Sequence, residues 1–261
     1  MPVLLHDPTL RLFSETLDAA EKQKNATANR LRSIIAAEPE LEANPVIEVI
    51  KIALKRQVEV ETLLVTQMKK HIKQTPFAGW IKAERGVGAK QAARLLAAIG
   101  DPYWMDRYQM NPKVAGSPLT FTLVESRPRT VSELWSFAGY SVNGGAARSL
   151  RKREVANWSP KAKMRAFLVA QSCMKQKDSG SRYRAVYDLG RAQYFDAVHM
   201  VECERCAPRG KPAAIGTPLN PGHQMARALR LVSKEILRDL WLIARDYHAE
   251  YSNVPPISSE V

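Results

Sequence analysis

The feature that most restricts the fold is a long apolar stripe at helical spacing in the first third of the chain. Seven apolar residues between Ile47 and Ile72 advance 25 residues in about seven turns of 3.6 residues. A shorter stripe from Leu10 to Ile35 precedes it, and Pro39 and Pro45 lie between the two. Because proline interrupts a helix, residues 1–75 are predicted to form a helical hairpin that packs on the rest of the chain or on a partner.

The remaining sequence is also mainly helical in its pattern. Alternation typical of a β-strand occurs only around Leu119 to Val124. Helical spacing is found over four further segments, which are Thr130 to Tyr140, Pro160 to Met174, Gly180 to Val201 and Met225 to Tyr247. We therefore expect an all-α protein with a long N-terminal helical hairpin, a helix-hairpin-helix domain and a C-terminal helical bundle.

These patterns suggest three consecutive parts. Residues 1–75 form the hairpin arm, and residues 76–126 form a helix-hairpin-helix segment for binding DNA. Residues 127–261 form a basic helical domain, which contains a candidate zinc-binding insert at 199–223.

The net charge favours a polyanionic partner. Among 261 residues, 39 are Lys or Arg and 26 are Asp or Glu, which gives a formal charge of +13. Such a positive potential attracts phosphates, so DNA is the first expected partner, with structured RNA as an alternative and an anionic membrane surface second. Three cysteines do not make a secreted disulfide framework, and no run of about 20 apolar residues is present. We expect a cytoplasmic, nucleoid-associated protein without membrane insertion.

Positive charge is concentrated in residues 127–165, which contain 9 basic and 2 acidic residues. Such a run is often only a solvated face, but here Trp135, Tyr140 and Trp158 are interleaved with it. We expect it to contact nucleic acid. The predicted contact residues in this stretch are Arg148, Arg151, Lys152, Arg153, Lys161, Lys163 and Arg165.

The most informative motif is Gly86-Val87-Gly88 between two short helical segments. Glycines let the main chain approach a ligand closely, and the free N–H groups that open the second helix form a phosphate site. Ala89 supplies one such amide, and Lys90 and Arg94, one helical turn apart, are predicted to add side-chain contacts. The dinucleotide-binding and P-loop patterns do not fit the spacing. The alternative is a tight turn without a ligand.

Five segments, taken in their order and spacing, carry a resemblance to a known family. They are Gly86-Val-Gly-Ala-Lys-Gln-Ala-Ala-Arg-Leu-Leu-Ala-Ala-Ile-Gly-Asp101, Glu133-Leu-Trp-Ser-Phe-Ala-Gly139, Lys163-Met-Arg-Ala-Phe-Leu168, Tyr183-Arg-Ala-Val-Tyr-Asp188 and Arg230-Leu-Val-Ser-Lys-Glu-Ile-Leu-Arg-Asp-Leu-Trp241. Together they resemble the C-terminal domain of the bridge-RNA-guided insertion-sequence transposases, which join a RuvC-like DEDD nuclease domain to a helix-hairpin-helix domain. The resemblance covers roughly residues 46–247, and it implies roles in DNA transposition and recombination with a structured guide RNA.

The chain departs from that family in its catalytic parts. Only the helical hairpin precedes the resembling region, so the acidic quartet of the nuclease domain has no counterpart. Family members carry a Ser-Gly after the Ala-Gly motif, where this chain has Asn143-Gly144-Gly145. Ser141 and Ser149 are the nearest hydroxyls and the candidate nucleophiles, but no neighbouring base in the sequence would activate them.

Four residues near the C-terminal third have the spacing of a zinc site. Cys203 and Cys206 form a Cys-x-x-Cys pair, His199 precedes it by one turn, and His223 follows 17 residues later. Zinc is held by four N or S ligands at tetrahedral geometry. The alternative is a pair of reduced thiols beside a loop, with His223 at a helix start.

Three functions remain open from the sequence. The favoured one is a transposase-like protein that grips the DNA backbone and has no nuclease activity of its own. The second is a transposase subunit that supplies a serine to a separate partner nuclease. The third is a helical adaptor or structural protein, whose N-terminal helices bind a partner helix or form a homo-oligomer.

Overall fold

A computed structural model describes residues 5, 7–112, 118, 120–143, 146–147, 153, 155–177, 180–206 and 210–251. The described chain is mostly helical, as expected, with short antiparallel strand pairs added. Its helices are α1 Pro8–Ala37, α2 Pro45–Ile72, α3 Ala78–Ala83, α4 Ala89–Ile99, α5 Val131–Phe137, α6 Pro160–Met174, α7 Arg182–Gln193 and α8 Pro221–Tyr251. The strands are β1 Trp104–Met110, β2 Phe121–Pro128, β3 Val142–Asn143 and β4 Ala146–Ala147.

Local signals set the helix ends. The side chain of Asp7 accepts hydrogen bonds from the first amides of α1, and Asn44 does the same for α2. In both helices a proline follows the capping residue, where its missing N–H costs nothing. Ser159 caps α6 in the same way before Pro160. These caps fix the first turn of each of the three helices.

The described residues contain two antiparallel sheets of two strands each, so the fold is not purely helical. In the larger one, β1 pairs with β2, from Trp104 opposite Pro128 to Met110 opposite Phe121. The sequence indicated only the second of these strands, because β1 does not alternate cleanly between apolar and polar residues. The helix expected from Gly180 to Val201 is also shorter than expected, since α7 ends at Gln193.

One hydrophobic core includes residues from all three predicted parts of the chain. Leu17 of α1 and Met68 of α2 are fully buried, as are Leu95 of α4 and Ile236 of α8. The indole of Trp80 on α3 donates a hydrogen bond of 2.7 Å to the Tyr183 hydroxyl on α7. Both α1 and α2 pack against α4, and the hydrogen bond of Trp80 links α3 to α7.

No helix in the described part of the chain combines the length and the apolar character that crossing a membrane requires.

Candidate metal centre and nucleic-acid interface

The segment between α7 and α8 forms a closed loop. The Leu219 amide donates to the Ala197 carbonyl at 2.9 Å, and Cys203 and Ala213 exchange two backbone hydrogen bonds of 3.0 Å. At its base, the buried Gln224 amide donates to the carbonyls of Phe195 and Leu219, at 2.9 Å and 3.2 Å. This clamp fixes both ends of the loop to the start of α8.

The loop brings together His199, Cys203, Cys206 and His223, each offering one ligand atom within 4.8 Å of the others. The Nδ1 atom of His223 lies 3.6 Å from Cys203 Sγ and 3.3 Å from Cys206 Sγ. Ligands at 2.0–2.3 Å from a tetrahedral zinc ion are about 3.6 Å apart. This group of two imidazoles and two thiols could therefore hold a metal ion.

His199 has the hydrogen bonding of a metal ligand. Its side chain is buried, and its Nδ1 lies 2.8 Å from the Thr217 carbonyl oxygen. That carbonyl fixes the proton on Nδ1, which leaves a lone pair on Nε2. Among the described residues, Nε2 has no hydrogen-bond partner although it is buried. A buried polar atom without a partner is costly, and a metal ion would supply the missing contact.

The neighbouring charges also favour neutral imidazole. Burial lowers the pKa of His223, and the nearby guanidiniums of Arg227 and Arg205 lower it further. By contrast, burial raises the pKa of the third cysteine, Cys173, to about 12, with a contribution from Glu84. Cys173 lies in the core on α6, so it is not a metal ligand of this site.

The glycine turn lies between two short helices, α3 and α4, as the sequence predicted. Val87 is buried between α3 and α4, and Gly86 adopts a φ of +90°. A Cβ atom on Gly86 would lie 2.6 Å from Cys173 Cα, so this glycine is required by its close packing on α6. Gly88 is exposed, and a Cβ there would meet nothing within 4 Å.

Gly88 is the N-cap of α4 and provides no side-chain hydrogen bond. The first amides of a helix have no acceptor within the helix, and they lie at the positive end of its dipole. Among the predicted backbone contacts, Gly88 and Ala89 are therefore placed where they could meet a phosphate, whereas Gly86 faces α6.

Two of the predicted phosphate-binding arginines are engaged inside the protein. The Arg94 side chain is 3% exposed and the Arg165 side chain 7% exposed, and both guanidiniums pair with the carboxylate of Asp18. Arg94 also pairs with Glu21. Burial alone would raise the pKa of Asp18, but Arg165 and Arg94 outweigh it and hold the pKa below its usual value. These arginines join α4 and α6 to α1.

Two predicted lysines are engaged in a similar way. The Lys90 ammonium lies 2.6 Å from a Glu21 carboxylate oxygen and 3.4 Å from one of Glu61. Lys161 lies 3.5 Å from Asp18. Both lysines are partly exposed, so these contacts are weaker than those of the buried arginines.

The remaining predicted residues are less informative. Lys163 lies over the Trp158 ring at 4.7 Å, and Arg153 is exposed with a φ of +69°. The Ser141 hydroxyl is buried without a hydrogen-bond partner among the described residues, so no described base contacts it. Four predicted site residues lie outside the described residues, namely Arg148, Ser149, Arg151 and Lys152.

Other exposed cations lie around the turn. Lys82 and Arg85 are exposed beside it. The end of α6 packs on Gly86 through Cys173 and Gln176, and the residues on either side of Gln176, Lys175 and Lys177, are exposed. No carboxylate of a described residue forms an ion pair with any of the four. We call these four residues the turn patch.

The sequence contains a partial signal for the turn patch. The 22 residues between Glu61 and Glu84 contain four lysines and no carboxylate. Only one of these lysines, Lys82, belongs to the patch, because Arg85, Lys175 and Lys177 lie outside this stretch. The acid-free stretch before the glycine turn therefore indicates part of the patch, whereas the contribution of α6 depends on its packing on Gly86.

Comparisons with protein-family models, with curated proteins and with solved structures each gave no match.

Proposed function

We propose that the protein binds the phosphate backbone of nucleic acid through the turn patch and the first amides of α4. The observation that carries the proposal is the combination of exposed cations without ion-pair partners among the described residues and an uncapped helix N-terminus at Gly88. Phosphate contacts of this kind position a protein without reading sequence. The proposed transposase-like role rests only on the sequence resemblance to the insertion-sequence transposases.

The test is a charge reversal at the turn. Lys82→Glu with Arg85→Glu is expected to weaken binding of duplex DNA about tenfold at moderate salt and to lower the slope of log K against log salt by about 1.8, since each phosphate contact contributes about 0.9. The measurement is fluorescence anisotropy between about 50 and 200 mM salt.

The matched control is Lys22→Glu with Arg30→Glu, which changes the charge equally at two exposed positions of α1. If both double variants lower affinity to the same degree, only net charge matters and the proposal is wrong. If neither changes binding, the helical-adaptor alternative is favoured. That alternative also has support in α2, which exposes Val46, Val49 and Leu63 at 60–66%.

The serine-dependent alternative has less support. It requires a base that deprotonates a hydroxyl, and the described neighbours of Ser141 provide none. We therefore propose binding without strand cleavage by this chain. Denaturing gels of the same binding reactions, run with Mg²⁺, would show nicked or covalently attached DNA if this view is wrong.

We further propose that the His199, Cys203, Cys206 and His223 group holds zinc in a structural role. Two thiolates and two imidazoles are a donor set that zinc prefers. Four protein ligands leave no open position for a substrate, which is typical of structural rather than catalytic zinc. Its role would be to stabilise the loop from Ala197 to Leu219.

Metal analysis of the purified protein tests this assignment. We expect about one zinc per chain, reduced strongly by Cys206→Ser and unchanged by Cys173→Ala, the cysteine outside the group. Zinc release by a chelator should also lower the melting temperature of the wild type but not that of Cys206→Ser. A wild-type protein that lacks bound metal and does not take up added zinc would contradict the proposal.

A further inference from the structure

A large cleft lies at the opposite end of α4 from the turn patch. Its volume is about 1080 Å³, slightly above the usual range of small-molecule sites. It lies between the last residues of α4, the base of the β1–β2 ribbon, α5, the start of α1 and the end of α8. Neither the turn patch nor the metal group lines it.

Aromatic rings are unusually frequent on its walls. Trp104, Tyr108, Phe137, Tyr247 and His248 all line the cleft. Tyr108 is 58% exposed and Phe137 38% exposed. The Arg129 guanidinium lies over one face of the Phe137 ring, 5.3 Å from its centroid, so the other face is the one offered to a ligand. Trp104 and His248 stack with ring centroids 5.7 Å apart and planes inclined by 24°. Exposed ring faces beside an existing stack are suited to a further planar ring.

The Trp104–His248 stack is held in place by Asp101. One oxygen of this buried carboxylate lies 2.6 Å from His248 Nε2. The other accepts the amides of Tyr103 and Trp104, at 2.8 Å and 2.9 Å. The ring pair is therefore fixed by the protein before any ligand arrives, which reduces the entropy lost on binding.

Besides the buried Arg129, three cations lie on the same cleft, namely Arg11, Arg107 and Lys161. The side chains of Arg11 and Arg107 are 66% and 64% exposed, and their carboxylate partners are Glu15 and Glu125, at 3.0 Å and 2.9 Å. Exposed ion pairs contribute about 0–1 kcal/mol, so a phosphate can replace these partners at small cost.

The other carboxylates on the cleft are also engaged. Asp106 accepts a hydrogen bond of 2.6 Å from the Ser126 hydroxyl, and Glu133 pairs with Arg127. The cleft is thus close to neutral overall, which favours a ligand that combines apolar rings with few phosphates over a bare polyanion.

We infer that this cleft binds unpaired nucleotides of single-stranded nucleic acid, with bases stacked on Tyr108 and Phe137 and phosphates at Arg11 and Arg107. In a duplex the base faces are covered, so only unpaired strands present them. This inference extends the proposed function, and it concerns a second site with different chemistry.

The experiment measures anisotropy of labelled single strands of about 12 nucleotides with the full chain. The probes are oligothymidine DNA, oligouridine RNA and a DNA strand of equal length whose central nucleotides are abasic. Tyr108→Ala with Arg107→Gln is the test variant. Phe121→Ala is the control, since Phe121 is 59% exposed on the same ribbon and does not line the cleft.

We expect the wild type to bind the thymidine or the uridine strand at least fivefold more tightly than the abasic one. The double variant should lose that preference, and Phe121→Ala should keep it. The strand that binds more tightly, DNA or RNA, identifies the type of nucleic acid that the cleft prefers. Equal binding of the abasic strand, or an unchanged preference in the double variant, would overturn the inference.

The experiments distinguish failure of this inference from failure of the proposed function. Duplex DNA has no accessible base faces, so its binding should depend on Lys82 and Arg85 and not on Tyr108. If only the duplex result holds, the turn patch binds nucleic acid and the cleft does not.

Discussion

Replacing Asp18 by asparagine is expected to destabilise the protein strongly, because this carboxylate compensates two buried guanidiniums. Arg94 and Arg165 both donate to one of its oxygens, and the Nε atom of each arginine is buried without a partner among the described residues. Asp18→Asn keeps the size of the side chain but removes the negative charge.

The magnitude follows from the burial of the two arginines. Removing one partner of a buried ion pair costs about 3–5 kcal/mol. The cost is smaller here, about 2 kcal/mol, because Asp18 is 29% exposed and Arg94 keeps its contact with Glu21. For a chain of this size that corresponds to a fall in melting temperature of about 4 °C.

The assay is thermal unfolding followed by circular dichroism, with Glu59→Gln as the control. Glu59 pairs with Arg56 at 2.8 Å, but both side chains are well exposed. The same change from carboxylate to amide should therefore alter stability by less than about 0.5 kcal/mol. A melting temperature for Asp18→Asn within 1 °C of the control, a threshold of about 0.5 kcal/mol, would refute the assignment of these arginines to a structural role.

The pH dependence gives an independent check. Because the folded-state pKa of Asp18 is below its usual value of 3.8, its stabilisation is present above about pH 4 and is lost as pH falls through the folded-state pKa. The difference in melting temperature between wild type and Asp18→Asn should therefore be constant from pH 7 to pH 5 and shrink below pH 4. A difference that grows on acidification would contradict the reasoning.

Two further predictions concern the glycines of the turn. Gly86→Ala should destabilise the protein by about 2 kcal/mol or more, since it combines a φ of +90° with a Cβ placed 2.6 Å from the α6 backbone; a melting temperature equal to that of Gly88→Ala would contradict this. Gly88→Glu should leave the melting temperature nearly unchanged, because the site is open, and should weaken duplex DNA binding by placing a carboxylate where a phosphate is proposed to lie; unchanged affinity would exclude the amides of α4 from the interface.

Local signals in the sequence were sufficient for much of the secondary structure. The proline-interrupted stripes predicted α1 and α2, and the segment from Pro160 to Met174 is helical at its predicted bounds. Helices of this kind depend on capping residues and on apolar residues spaced three or four apart. Both features are local in the sequence. The metal group was also predictable, because three of its four ligands lie within eight residues and only His223 comes from the next helix.

The missed strand β1 has a different cause. β1 pairs with a strand, β2, that begins only after the intervening segment between Met110 and Phe121. Most side chains of β1 are exposed. A strand that buries neither face leaves no apolar alternation to detect.

The identity of the cations that stay free for a ligand was decided only by the tertiary structure. In sequence, Lys90 and Arg94 next to the glycine turn resemble phosphate ligands as closely as Lys82 and Arg85 do. Folding places α1 against α4 and α6, so carboxylates 69 to 147 residues away take up the first pair and Arg165, while the second pair remains exposed. The sequence determined where the helices and the charges are, and long-range packing determined which charges are neutralised, because Coulomb attraction depends on distance in space and not along the chain.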